Sequence, residues 1–121
     1  MPEDSKSAIP ASTATVAPDG PLGDIATRVV FENERLRIWE LVLEPGEEGP
    51  LHRHELDHIL VQIAGDRMAV VPHPDSRSRY DEYLEAEVFP GQIFVVDRGG
   101  IEIARNVGRE RYQEILIELK D

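Results

Sequence analysis

The chain has 121 residues, enough for one hydrophobic core and therefore one domain. Acidic residues outnumber basic ones by 24 to 13, and the formal charge of −11 opposes contact with phosphate backbones and anionic lipid surfaces, so neither nucleic acid nor membrane is an expected partner. Cysteine is absent, which removes disulfides, thiolate metal sites and cysteine nucleophiles and leaves histidine, carboxylate and hydroxyl chemistry.

Residues 1–23 are rich in Ala, Ser, Thr and Pro and cannot bury enough apolar surface to order themselves. The segment reads as a flexible N-terminal arm, or as an arm laid across a partner subunit. It has neither a basic opening nor a continuous apolar run of the kind a signal peptide needs, and a cytoplasmic location is the expectation. From residue 24 to 121 the pattern changes to short β-rich runs, at 27–31, 36–43, 59–63, 68–71, 93–96, 101–107 and 115–119. Turn residues separate them, among them Pro45-Gly46, Gly49-Pro50, Gly65-Asp66, Pro72-His73-Pro74, Pro90-Gly91 and Gly99-Gly100. The interval 75–87 is the least strand-like and reads as a long hairpin or loop with a solvated charged face. Many short strands with no long amphipathic helix predict an all-β sandwich or barrel.

Three of the four histidines fall within seven positions, at His52, His54 and His58. Side chains alternate faces along a strand, so His52 and His54 face one pocket while Arg53 points away. A tight connection through Glu55-Leu56-Asp57 starts the next strand at His58 and brings a third imidazole alongside. Imidazole suits zinc, copper, iron and nickel, and three protein donors leave open positions for water or substrate. His54-Glu55-Leu56-Asp57-His58 also fits the H-E-x-x-H pattern of helical zinc proteases. Pro50 just before it and the strand-like run from Ile59 to Ile63 disfavour the helix that this pattern needs. Gln62 shares the alternation parity of His58 and is expected to face the cavity as a substrate contact. His73, between two prolines, is expected to face water, and Trp39, Phe89 and Phe94 are expected in the core.

These spacings resemble the two motifs of the cupin superfamily. The first motif runs glycine, five residues, His-x-His, three or four residues, glutamate, six residues and glycine. Here it reads Gly46, His52, His54, His58 in the glutamate position, and Gly65. The second reads Gly91, Asp97 in the proline position, Gly99, Glu102 in the histidine position, and Asn106. One histidine and the glutamate have exchanged places between the motifs, so the usual inventory of three histidines and one glutamate survives. The resemblance implies a jelly-roll barrel over 24–121 holding a divalent metal ion (Fe, Mn, Ni or Zn) on His52, His54, His58 and Glu102. Glu102 is either the fourth ligand or a general base beside a three-histidine ion. Among similar cupins the implied activity is of the dioxygenase or oxidoreductase type on a small polar organic molecule. A non-redox isomerase or hydrolase and a non-catalytic ligand-binding barrel are the alternatives, and a homodimer is the implied assembly.

Overall fold

A computed structural model describes residues 13–121. Nine strands and no helix occur among them: β1 (Arg28–Glu32), β2 (Leu36–Leu43), β3 (His52–Arg53), β4 (His58–Ala64), β5 (Arg67–Pro72), β6 (Leu84–Glu87), β7 (Ile93–Val96), β8 (Ile101–Asn106) and β9 (Tyr112–Leu119). They form two antiparallel sheets, ordered β1-β2-β9-β4-β7 and β3-β8-β5-β6, that face each other as a jelly-roll barrel. The tight turns have glycine at positive φ, at Gly46, Gly65, Gly91 and Gly99, where a side chain would be strained. Gly65 also has no room for one, because a Cβ there would lie 2.9 Å from the Tyr112 ring.

One strand fills in the sequence expectation and another departs from it. The interval 75–87, expected as a long hairpin or loop, ends in β6, which returns antiparallel on β5 and widens the smaller sheet. β9 begins at Tyr112 rather than at residue 115, because Glu114 occupies an inward position that apolar alternation would assign to a hydrophobe.

Strand register sorts the inner face of the five-stranded sheet into rows. Arg37, Glu118, His58 and Val96 lie side by side in one, followed by Trp39, Leu116, Leu60 and Phe94 in the next. A third row holds Leu41, Glu114 and Gln62, and Leu43 and Tyr112 follow. Trp39, Leu41, Leu43, Tyr112 and Leu116 form the buried core with Ala26 and Val88. Burying each large apolar side chain of this group contributes roughly 1.5–3 kcal/mol. Trp39 is therefore core, as expected, and its indole N–H donates to the buried Glu118 carboxylate at 2.7 Å. Phe94 is half-buried and lines the cavity. Phe89 corrects the expectation: at 56% exposed it caps the turn before Gly91 instead of entering the core.

Residues 1–12 of the expected arm lie outside the described residues. From residue 13 onward the segment rests on the barrel. Ala17 is buried and its N–H donates to the Pro72 carbonyl, and the Gly23 N–H donates to Leu51. Arg105, buried on β8, is paired with Glu48 at 2.7 Å and donates to the Ala14 carbonyl. His73 corrects a second expectation, since its side chain is only 11% exposed. Its Nε2 meets Asp19 at 2.5 Å and its Nδ1 accepts from the Asp75 N–H, which pins the arm to the turn after β5. Among the described residues, no helix is long and apolar enough to cross a membrane.

Candidate metal centre

The histidines and Glu102 meet because the small sheet pairs them. β3 and β8 are antiparallel with His52 directly opposite Glu102, so both side chains leave the same face. His54 follows two residues after His52 and shares that face. Its backbone is fixed to the turn entering β8, with His54 N–H donating to the Gly100 carbonyl and Gly99 N–H donating to the His54 carbonyl, each at 2.8 Å. His58 opens β4 on the other sheet and faces them across the barrel end.

All three histidines are at most 4% exposed. His52 Nε2 and His54 Nε2 are 3.1 Å apart, and Glu102 Oε2 lies 3.4 Å from His54 Nε2 and 3.9 Å from His52 Nε2. His52, His54 and Glu102 thus offer ligand atoms within 4.8 Å of one another. His58 stands beside this set rather than in it, its ring stacked on His54 with centroids 4.0 Å apart.

The donor chemistry fits a cation. His52 Nδ1 lies 3.0 Å from the Pro50 carbonyl and His58 Nδ1 lies 3.0 Å from the Leu56 carbonyl. A carbonyl only accepts, so each Nδ1 carries the proton and each Nε2 presents a lone pair inward. His54 Nδ1 is buried without a partner, which leaves Nε2 as the nitrogen directed at the other donors. Two imidazole nitrogens in such proximity, backed by a carboxylate, make the electrostatics of a divalent-ion cradle.

The local charges agree. Burial, reinforced by repulsion from His54, holds the His52 imidazole below its ordinary value and brings His58 down to about 4, so both are neutral at pH 7. Burial pushes the Glu102 carboxyl up, but the neighbouring histidines, His54 foremost, outweigh it and keep Glu102 below the usual range and ionised. Neutral imidazoles and an anionic carboxylate are the protonation states that ligation requires.

The donors open onto an interior cavity of about 140 Å³, walled by apolar side chains such as Ile25, Leu60, Met68, Phe94 and Leu116. Gln62 lines it, as its parity predicted, and its Nε2 donates to the Tyr112 hydroxyl at 3.3 Å while its Oε1 accepts from Phe89 N–H. Sequence reasoning missed Glu114 and Tyr112, which also line the cavity. The signal that could have found them is parity, since Glu114 stands two residues before Leu116 and four before Glu118 on one strand face.

No family model matches the chain. Auxin-binding protein T85 from Nicotiana tabacum is 26% identical over 94 residues, covering 77% of this chain and 50% of that protein. Auxin-binding protein T92 from the same plant is 25% identical over 93 residues, so the chain spans about half the length of these curated relatives. Among solved structures, a cupin domain from Bordetella pertussis superposes with a TM-score of 0.66 at 21% identity, covering 86% of this chain and 100% of that one. An RmlC-like cupin with a double-stranded β-helix fold from Methanocaldococcus jannaschii gives 0.57 at 18% identity, covering 81% and 94%. Strand order and these likenesses converge on one description: the chain has the cupin fold.

Proposed function

We propose that the chain binds one divalent metal ion through His52, His54 and Glu102, with His58 completing the set, and acts as a metal-dependent enzyme of the dioxygenase or oxidoreductase type on a small organic molecule. The observation that carries this reading is the convergence of two imidazole Nε2 atoms and the Glu102 carboxylate, with the His52 tautomer fixed by a backbone carbonyl. When bound, the ion supplies Lewis acidity and open coordination positions for a chelating substrate. The chain's own residues do the rest. The carbonyls of Pro50 and Leu56 orient the rings of His52 and His58, and the apolar walls keep bulk water from the substrate. If the ion rests on the histidines alone, Glu102, ionised and beside His54, is instead the base that takes a proton from a substrate held in the cavity.

Elemental analysis of freshly purified protein tests the site. Wild type is expected to carry one equivalent of Fe, Mn, Ni or Zn. Glu102→Ala should lose it, and His58→Ala should retain it more weakly. Wild type without metal, or His52→Ala and His54→Ala variants that hold as much as wild type, would refute the centre. Oxygen uptake with diketones, thiols and hydroxy acids then separates a dioxygenase from a non-redox isomerase or hydrolase, which would consume substrate without oxygen.

The names of the two plant relatives favour a second reading, a barrel that binds a small ligand without turnover. It predicts saturable, metal-dependent binding with no product. For either reading we propose that the protein works as a homodimer that buries the outer face of the five-stranded sheet.

A further inference from the structure

Two polar rows face the cavity with an apolar row between them. His58 belongs to the first and Gln62 with Glu114 to the third, on strands where successive inward residues are two positions apart. Along β4 the backbone positions of His58 and Gln62 are roughly 13 Å apart, while the Glu114 carboxyl reaches near enough to His54 and Glu102 to interact with them electrostatically. Leu60, Leu116 and Phe94 fill the interval.

Glu114 is 8% exposed, yet no Lys or Arg lines the cavity to pair with it. Its hydrogen bond comes from the Tyr112 hydroxyl, which donates to Oε1 at 2.5 Å, and Gln62 Nε2 donates in turn to that hydroxyl. One carboxyl oxygen is therefore committed, and no protein group among the described residues donates to or accepts from the other. Glu114 lines the cavity, and an uncommitted polar atom in a cavity wall is the usual means of orienting a ligand. In the metal-free protein burial raises the Glu114 carboxyl to about 7, with the opposing bond from Tyr112 and the nearby His54 pulling down and Glu102 adding to the rise, so a large share carries its proton near neutrality.

We propose that Glu114, held by Tyr112 and Gln62, is the distal anchor of the ligand site, donating a hydrogen bond to an oxygen acceptor at the far end of a molecule whose other end chelates the metal at His52, His54 and Glu102. The proposal rests on the metal-centre reading and narrows its substrate class. The ligand has a metal-chelating oxygen head, an apolar middle that spans the Leu60 row, and an uncharged keto or hydroxyl oxygen in its tail. A tail ammonium is the wrong chemistry, because it would require Glu114 ionised in an apolar pocket whose other carboxylates are Glu102, engaged with the histidines, and Glu87, on an exposed strand.

Three hydroxamates with the same chelating head test this on the metal-loaded protein: one with a plain six-carbon chain, one with a keto oxygen near the end of that chain, and one ending in an ammonium. Binding is read by isothermal calorimetry with and without metal. On wild type the keto tail is expected to bind roughly threefold to tenfold more tightly than the plain chain, the value of one hydrogen bond. Glu114→Gln, whose amide also donates, should keep most of that preference, and Glu114→Leu should abolish it while still binding the plain chain. Equal binding of plain and keto tails to wild type, or a preference for ammonium, overturns the anchor and leaves the metal centre standing. If no hydroxamate binds in a metal-dependent way, the centre itself fails and the anchor with it. The wild-type comparison needs no variant, so a Leu substitution that fails to fold does not protect the proposal.

Discussion

At His52 and His58 the chain repeats one local device: the ring Nδ1 meets the backbone carbonyl two residues earlier, at Pro50 and at Leu56. Each such bond fixes a tautomer before any ion arrives, and burial then keeps the imidazoles neutral. This has a measurable consequence in the metal-free protein. His58 has its value lowered from 6.5 to about 4, so the unfolded chain takes up that proton first, and the stability His58 contributes above pH 6.5 is lost as pH falls towards 4. Glu114 acts in the opposite sense. Raised from 4.5 to about 7, it contributes stability below pH 4.5 that is lost as pH rises through 7. The two slopes oppose each other between pH 4.5 and 6.5, each on the order of 3 kcal/mol over its full range. Glu114→Gln removes one of them, so urea unfolding of the metal-free variant should lose stability more steeply on acidification than wild type does. Parallel profiles would show that Glu114 is not a perturbed acid. The histidines were legible in the sequence because their clustering in a chain with four histidines is conspicuous. Glu114 was not, because one inward glutamate among 15 is recognised only once the register of β9 is known.

The elements carry the donors to one point, and the turn that enters β8 does so with no room to spare. Gly99 has φ +114, and a Cβ there would lie 3.2 Å from Arg77 Cβ. A Cβ on Gly100 would lie 3.2 Å from Glu102 Oε1 and from Ser78 Cβ and 3.6 Å from His54 Cδ2, against the ligand set itself. The two glycines therefore differ in kind. Gly99→Ala should cost about 1–2 kcal/mol of folding stability through backbone strain. Gly100→Ala, free of that backbone strain, should cost less stability than Gly99→Ala and weaken metal retention by roughly tenfold, the usual effect of displacing a group that orients ligands. Competition with a chromophoric chelator reads the second effect, and unaltered affinity in Gly100→Ala would mean that the turn does not position the donors. Asn106 closes the other end of β8. Its side-chain amide donates to the carbonyls of Leu43 and Glu110 and its Oδ1 accepts from Gly108 N–H, so it ties three segments together. Asn106→Ala strands those buried groups and should cost roughly 2–4 kcal/mol by urea denaturation. Positive-φ glycines and strands with clean alternation were readable from sequence. β6 was not, because all four of its residues are exposed and three of its neighbours, Asp81, Glu82 and Tyr83, give the pattern of a solvated loop.

At the scale of the whole molecule, the outer face of the five-stranded sheet is a feature that the barrel's own interior does not explain. Register places Phe31, Ile38, Ile117, Ile59 and Val95 side by side over all five strands. The adjacent row runs from Arg28 and Glu40 to Ile115, Val61 and Ile93, with Arg28 and Glu40 paired at 2.9 Å. Phe31, Ile93 and Val95 are 52%, 61% and 62% exposed, the reverse of what a solvated sheet face shows. These two rows carry no net charge in a chain of formal charge −11, so two copies approach here with little local electrostatic repulsion, and an apolar row that meets its own twofold image buries itself on both sides. Static light scattering at micromolar concentration should therefore give twice the chain mass. Val95→Lys should reduce it to the chain mass, since a buried lysine from each copy would lose its hydration. The same lysine stays solvated in a single chain, so the variant should unfold within about 0.5 kcal/mol of a wild-type monomer. Metal retention gives the control: the donors lie inside one barrel, and a Val95→Lys monomer should hold its ion as wild type does. A wild type that scatters as a single chain at these concentrations would end the dimer proposal and leave the apolar face to be explained some other way.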